Sequence, residues 1–354
     1  MEHWFSKGLK AWYSMNKRDL PWRHESDPYR IWLSEVILQQ TQVAQGLSYY
    51  LKFVKNYPTV SHLAKAAEDK VLKDWQGLGY YSRARNLHAA AKGIAKEKKG
   101  MFPRTFDEIK QLKGVGDYTA AAIASFAYNL PHAVVDGNVY RVLSRVFGIE
   151  TPIDSTNGKR QFKELASGLL DKKDPATYNQ AVMEFGSQYC RPVNPDCRNC
   201  IFSDRCFAFK TKRVDFLPLK AKRINVRERY INYVIMLDKK KNIILQKRGE
   251  GDIWQGLYEF KLIESNKPMK QKDVLTHSSI TRVGKEFDLL HESKLYKHVL
   301  SHQRLHAKFY VLQFNKEFKK PLTFCNNKTI SRYAFPRLIE RFINDYKLTK
   351  LSYF

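Results

Sequence analysis

The sequence predicts a two-part fold: an all-α region over residues 1–210, then a mixed α+β domain over residues 230–354. Three observations predict it. Before about residue 210, apolar positions recur at three- and four-residue spacing, as at Leu33, Val36 and Ile37. Residues 211–229 then gather Lys212, Arg213, Lys220, Lys222, Arg223, Arg227 and Arg229 around Pro218, which reads as a basic linker. Beyond it the period falls to two, the period of a strand. A chain of 354 residues also exceeds one ordinary core.

Several elements are legible in order. Asp27-Pro28 supplies an N-cap followed by proline at the first helical position, opening the helix that carries Leu33, Val36 and Ile37. Leu112-Lys113-Gly114-Val115-Gly116-Asp117-Tyr118-Thr119-Ala120 lies between two helical stretches. Its glycines, Gly114 and Gly116, permit a tight turn with backbone N–H groups facing outward. Those amides and the following helix N-terminus suit a phosphate. Asp136, ahead of Gly137-Asn138-Val139, can cap the segment bearing Val142, Leu143 and Val146. Tyr230–Leu237 and Ile243–Leu245 read as strands joined by the turn Asp238-Lys239-Lys240-Lys241-Asn242. Residues 305–314 read as a further strand, with His306, Lys308, Tyr310 and Leu312 alternating against Ala307, Phe309 and Val311. No internal repeat or low-complexity tract interrupts this order.

Charge and cysteine usage narrow the partners. Lys and Arg number 62 against 35 Asp and Glu, a net charge of +27, which favours a polyanion. The N-terminus lacks the pattern of a signal peptide, and the longest small-apolar run, Thr119–Tyr128, is about half a membrane span. An intracellular, cytoplasmic location without membrane association is expected. Four of the five cysteines, Cys190, Cys197, Cys200 and Cys206, follow the pattern Cys-x6-Cys-x2-Cys-x5-Cys. In a reducing compartment this points to a metal centre, for which zinc is the general alternative.

Two carboxylates stand out. Glu35 is the one acid in the apolar, amide-bearing run Trp32-Leu33-Ser34-Glu35-Val36-Ile37-Leu38-Gln39-Gln40-Thr41-Gln42. Burial there would raise its pKa and keep it protonated near neutrality. Asp136 follows the apolar Ala133-Val134-Val135. An acid and a separate carboxylate meet the needs of N-glycosidic bond cleavage, which protonates a leaving base and stabilises a cationic sugar.

The segments Pro21-Trp22-Arg23, Ser34–Gln42, Gly77-Leu78-Gly79-Tyr80-Tyr81 and Asp136–Val139, with the hairpin and the cysteine spacing, resemble the adenine DNA glycosylase family. That family belongs to the helix-hairpin-helix iron–sulfur base-excision superfamily. The resemblance spans about residues 20–206 and continues faintly to the C-terminus. It implies a six-helix-barrel part over about 22–130 and a cluster part formed by about 1–21 and 131–210. It implies a [4Fe–4S] cluster on Cys190, Cys197, Cys200 and Cys206, and a monomer acting on double-stranded DNA with adenine opposite 8-oxoguanine or guanine. By the same resemblance Glu35 protonates the base, Asp136 stabilises the cation, and Tyr118 assists. Gly114 and Gly116 would hold a phosphate, and Gln40 and Tyr80 would wedge into the duplex. Arg23, Leu38, Gln180 and Glu184 would line the adenine pocket, with Asn138 and Arg141 supporting Asp136.

The C-terminal domain resembles the Nudix-like lesion-recognition module of that family through Trp254-Gln255-Gly256-Leu257-Tyr258-Glu259-Phe260, His298-Val299-Leu300-Ser301-His302 and Tyr333-Ala334-Phe335-Pro336. Residues 264–290 lack the glutamate cluster that holds magnesium in a true Nudix hydrolase, so lesion reading is preferred over nucleotide hydrolysis. Ser301 is the donor expected to meet the lesion. Leu300 stands where the family commonly has phenylalanine and gives a weaker stacking wedge. Two rival readings remain. An endonuclease III-like glycosylase/lyase for oxidised pyrimidines would want a lysine at Tyr118 to form a Schiff base. A non-catalytic iron–sulfur DNA-binding protein would leave Glu35 and Asp136 purely structural.

Overall fold

The computed structural model describes residues 3–221, 225–318 and 323–348. The chain folds as two compact units, Met1–Lys65 with Asn86–Arg223, and Ala66–Arg85 with Ile224–Phe354. The sequence reading sets the C-terminal domain apart across the basic stretch 211–229. The fold instead groups Ala66–Arg85 with the C-terminal residues. Hydrogen bonds within that unit account for it: Arg85 Nη1 to the Gln255 carbonyl at 2.6 Å, Gln76 Nε2 to Glu340 Oε1 at 2.8 Å, and Lys247 Nζ to Asp69 Oδ1 at 2.5 Å. Pairings across 170 residues and more leave no local signal in a sequence.

The helices run α1 (His3–Asn16), α2 (Pro28–Leu38), α3 (Val43–Asn56), α4 (Val60–Lys65), α5 (Glu68–Trp75), α6 (Ser82–Glu97), α7 (Phe106–Lys110), α8 (Asp117–Tyr128), α9 (Gly137–Phe147), α10 (Thr156–Leu169), α11 (Pro175–Gln188) and α12 (Phe207–Lys210). α5 lies in the second unit and α6 crosses the boundary. In the first unit, Phe5 and Leu9 of α1, Val142 and Leu143 of α9, Phe162 of α10 and Phe185 of α11 share one buried core. α8 is alanine-rich, and Thr119 through Ser125 are all buried. Side chains that small let α2 and α11 both pack against it.

The basic stretch is less of a linker than its charge implies. Leu217 is fully buried, and Val214 and Leu219 pack on the same core. Ile153 donates its N–H to the Leu219 carbonyl at 3.0 Å. The apolar residues between the cations anchor the chain to the first unit. Lys222 and Arg223 lie outside the described residues. Arg227 and Arg229 already belong to a strand.

Among its described residues the second unit holds a mixed sheet of eight strands. They are β1 (Arg227–Leu237), β2 (Ile243–Lys247), β3 (Tyr258–Glu259), β4 (Lys261–Ser265), β5 (Phe287–Glu292), β6 (Tyr296–Val299), β7 (Gln303–Phe314) and β8 (Thr323–Cys325). β1 and β7 pair in parallel, from Arg227 opposite Gln303 to Leu237 opposite Gln313. The other pairs are antiparallel. Alternation along β1 splits the core. Ile231, Tyr233, Ile235 and Leu237 face α15 (Arg337–Asp345), reached after the short α13 (Gln271–Leu275) and α14 (Ser278–Thr281). Val234 and Met236 join the opposite cluster with Val274 of α13 and Ile280 of α14. Phe309 of β7 stacks on Phe342 of α15 at 4.2 Å, a contact that adds about 0.5–1.5 kcal/mol beyond its buried area. Arg229, read as part of the basic linker, is buried in β1 and bonded to Asp252 and Glu264. Those carboxylates offset the desolvation of its charge.

Candidate active site

Three elements of the first unit converge on one carboxylate. Asp27 caps α2 by accepting from Tyr29 N at 2.9 Å, and Pro28 stands at the first helical position. This fixes the start of the helix and carries Glu35 into the interior, where it is 7% exposed. Tyr118, in the first turn of α8, donates its hydroxyl to Glu35 Oε2 at 2.7 Å. Burial raises the Glu35 carboxyl to about 7; the Tyr118 bond opposes this, and nearby Asp136 adds to it. Glu35 is therefore poised to carry a proton at neutral pH. The Tyr118 hydroxyl, buried beside two carboxylates, is held well above its ordinary value. It stays a neutral donor.

Asp136 reaches the site through the chain that precedes α9. Buried Asn179 of α11 accepts from Val134 N at 3.1 Å and donates to the His132 carbonyl at 2.8 Å. Val134 packs on Ala121 and Ala122 of α8. These contacts hold the segment 131–135 in place. Asp136 then caps α9: Val139 N donates to Oδ1 at 2.7 Å, and Asn138 Nδ2 donates to Oδ2 at 2.8 Å. Burial pushes its carboxyl above 3.8, against the opposing hydrogen bonds from Val139 and Asn138. Arg141 supports the arrangement by donating to Asn138 Oδ1 at 2.9 Å, the Gly186 carbonyl at 2.7 Å and the Cys190 carbonyl at 2.7 Å.

The remaining residues of the first unit fall into local sets. Glu184 is buried and takes Arg18 at 2.6 Å and Arg23 at 2.5 Å. Burial pushes its carboxyl up, but the two guanidinium groups outweigh that and hold it below the usual carboxylate range. Gln180 Oε1 accepts from Tyr13 at 2.6 Å, and the Arg23 guanidinium lies over the Tyr13 ring at 5.4 Å. Arg18 and Tyr13 belong to this set and Asn179 to the segment before Asp136, and none of the three carries a signal in the sequence. Their partners lie far along the chain. Leu38 ends α2 half-buried, and exposed Gln40 follows in the left-handed region at φ 55°.

The hairpin between α7 and α8 separates its two glycines. Gly114 has φ +81°, and a Cβ there would come within 2.6 Å of Asn86 Cβ. Gly116 is extended, caps α8 and has open space at its Cβ position. Gly114→Ala should therefore lose about 2 kcal/mol or more of stability. Gly116→Ala should lose less, about 0.5–1 kcal/mol, because the methyl group meets nothing and only the poorer N-cap counts against it. Urea unfolding of the two variants distinguishes them, and equal losses would refute this reading of the turn.

The four cysteines line one cavity together with Arg145, Phe185, Tyr189, Pro195 and Phe209. Arg145 is buried, donates to Cys190 Sγ at 3.6 Å and accepts at its carbonyl from Cys206 Sγ at 3.4 Å. Phe202 N donates to Cys200 Sγ at 3.4 Å. Burial pushes the Cys200 thiol up to about 12. Among the described residues no group of three or more His, Cys, Asp or Glu side chains forms a site for a single metal ion. Cys325 stands apart, buried in β8.

In the second unit, Ser301 sits in the turn joining β6 to β7, where Leu300 N donates to the Gln303 carbonyl at 2.8 Å. Leu300 is partly buried against the α15 side of the core, so it turns inward, away from the exposed edge of the turn. Ser301 Oγ lies 2.9 Å from the hydroxyl of Tyr80, which belongs to the same unit. Between residues 264 and 290, α13 and α14 carry a single acid, Asp273, and no clustered glutamates. No described helix is long and apolar enough to cross a membrane.

The chain is similar to known proteins. The model of the HhH-GPD superfamily base excision DNA repair protein matches residues 33–167, and that of the NUDIX domain matches residues 232–345. The adenine DNA glycosylase of Homo sapiens is 44% identical over 213 residues, 58% of this chain and 39% of that one. A solved structure of a thermostable thymine-DNA glycosylase superposes with a TM-score of 0.55 at 30% identity, over 58% of this chain and 95% of that one. The adenine DNA glycosylase of Buchnera aphidicola subsp. Acyrthosiphon pisum is 30% identical over 354 residues, 97% of each chain. A match of that extent, across both units, means that the chain belongs to the adenine DNA glycosylase family.

Proposed function

We propose that this protein hydrolyses the N-glycosidic bond of adenine mispaired with 8-oxoguanine or guanine in duplex DNA, without cutting the strand. The observation that carries the proposal is the buried Glu35 carboxyl, raised to about 7 and bonded to a tyrosine hydroxyl at 2.7 Å. An adenine extruded from the helix would meet an acid that still holds its proton in a large fraction of molecules at neutral pH. Glu35 gives its proton to the base. Asp136 remains the nearby negative charge as the sugar becomes cationic, and a water completes the displacement. Tyr118 holds the Glu35 carboxyl in place. A phenol forms no Schiff base with the sugar, so the covalent lyase route has no nucleophile here. Arg23, Leu38, Gln180 and Glu184 would receive the adenine, while Gln40 and Tyr80 would fill the gap it leaves. Ser301 would meet the oxidised guanine.

Cys190, Cys197, Cys200 and Cys206 would hold a [4Fe–4S] cluster. Their fit rests on the donor set and its surroundings: four thiols on one largely apolar cavity, beside a buried guanidinium. The cluster would brace the loop 190–206 and the Arg141 contact to the Cys190 carbonyl, away from the bond that breaks.

The test is a duplex with adenine opposite 8-oxoguanine, resolved with and without alkali. Breaks that appear only after alkali are expected. Breaks without alkali would support a lyase, and intact adenine would overturn the proposal.

A further inference from the structure

We propose that Arg83 is the positioning residue that holds the wedge Tyr80 in its left-handed conformation, an inference that rests on the wedge role given to Tyr80 above. The turn between α5 and α6 is strained. Gly77 and Gly79 have φ 102° and 73°, and Tyr80 itself has φ 45°. Glycine adopts such values freely, but a bulky side chain does so at a cost of about 1–2 kcal/mol. Tyr80 is also 49% exposed, so burial of its ring does not supply the restraint. The conformation must be held from elsewhere.

Arg83 stands where such a restraint is needed. Its guanidinium lies over two rings at once, 5.2 Å from the Trp75 ring centre and 5.6 Å from that of Tyr80. Trp75 is buried at the end of α5 and is a fixed support. Nη2 donates to the carbonyls of Gly79 at 3.3 Å and Leu78 at 3.4 Å, and Trp75 Nε1 donates to the Gly79 carbonyl at 3.0 Å. Arg83 N donates to the Tyr80 carbonyl at 2.9 Å, closing the turn. The cation thus links a buried ring, the carbonyls of the strained turn and the face of the exposed wedge. Burial pulls its pKa down to about 10, which marks partial desolvation and strengthens its attraction to both rings. At the far end of the ring, the hydroxyl meets Ser301 Oγ. The ring is held at both ends and open along one edge, a suitable state for entering a duplex.

The experiment compares Arg83→Met, Arg83→Lys, Tyr80→Ala and the double variant Arg83→Met/Tyr80→Ala in the full-length protein. Affinity for a duplex with adenine opposite 8-oxoguanine is measured at several salt concentrations, beside thermal unfolding. Arg83→Met should weaken binding about tenfold, the size of a desolvated cation–π contact with its hydrogen bonds. Arg83→Lys should recover part of the loss, since an ammonium still attracts the rings but cannot bond both carbonyls. The double variant should bind no worse than Tyr80→Ala, and the salt slope should stay unchanged in all four. An Arg83 cost that persists undiminished in the Tyr80→Ala background would overturn the proposal. So would a salt slope that drops by about one, the sign of a direct phosphate contact. So would unaltered binding by Arg83→Met where Tyr80→Ala binds weakly. If Tyr80→Ala alone binds normally, the wedge reading itself fails, a result separable from the others.

Discussion

Glu35→Gln should release no measurable adenine while binding the lesion duplex nearly as tightly as the parent protein. The glutamine amide has the shape of the carboxyl and can still accept from Tyr118 through its oxygen, so the packing of α2 against α8 survives. It has no acidic proton to give the base. Loss of a positioned general acid costs about 10²–10⁴ in rate, or ~2.7–5.4 kcal/mol of barrier. Single-turnover kinetics with excess enzyme, beside a binding isotherm, reads both quantities. If binding collapsed with activity, Glu35 would be a structural residue and the assignment would fail. The parent's pH dependence follows from the same group. The protonated form is the active one and titrates at about 7, so the rate should fall as pH rises through that value.

Asp136→Asn should fold as the parent does and lose about 10²–10³ in the rate of base release, the scale on which one well-placed electrostatic group acts. Asparagine caps a helix about as well as aspartate, so Val139 N keeps its acceptor and α9 its start. The negative charge disappears just where the sugar turns cationic. The pH profile provides a second check. Burial raises Asp136 above 3.8, so its active, ionised form is lost as pH falls through that raised value. The parent should therefore show an acid limb as well as the limb at about 7, and Asp136→Asn should lack the acid one. An asparagine variant that kept most of the rate would show Asp136 to be a cap alone. One that unfolded would leave the acid limb of the parent to decide the matter, since a cap by itself imposes no such limb.

Local chemistry made much of this protein legible. Asp27-Pro28 and Asp136 announce helix starts because a cap bonds to an N–H two or three residues on, within reach of a short motif. The period-two pattern of 230–237 and 305–314 announces strands because alternate side chains go to opposite faces of a sheet. Gly114 is legible because only glycine tolerates its φ of +81° beside Asn86. The cysteine spacing marks one loop around one cavity. What the sequence could not determine is each group's environment. The 2.7 Å bond between Glu35 and Tyr118 joins residues 83 positions apart, and it exists because the small side chains of α8 let α2 approach. The rise of the Glu35 carboxyl to about 7 comes from desolvation, which belongs to the packed interior and not to the residue. Arg18 and Arg23 meet on Glu184, Arg83 lies between Trp75 and Tyr80, and Ala66–Arg85 joins the C-terminal unit, all without a motif to mark them. The sequence by itself determined which residues could do chemistry and where helices and strands begin. The tertiary structure decided which of those residues meet, and so which proton is held and which charge is felt.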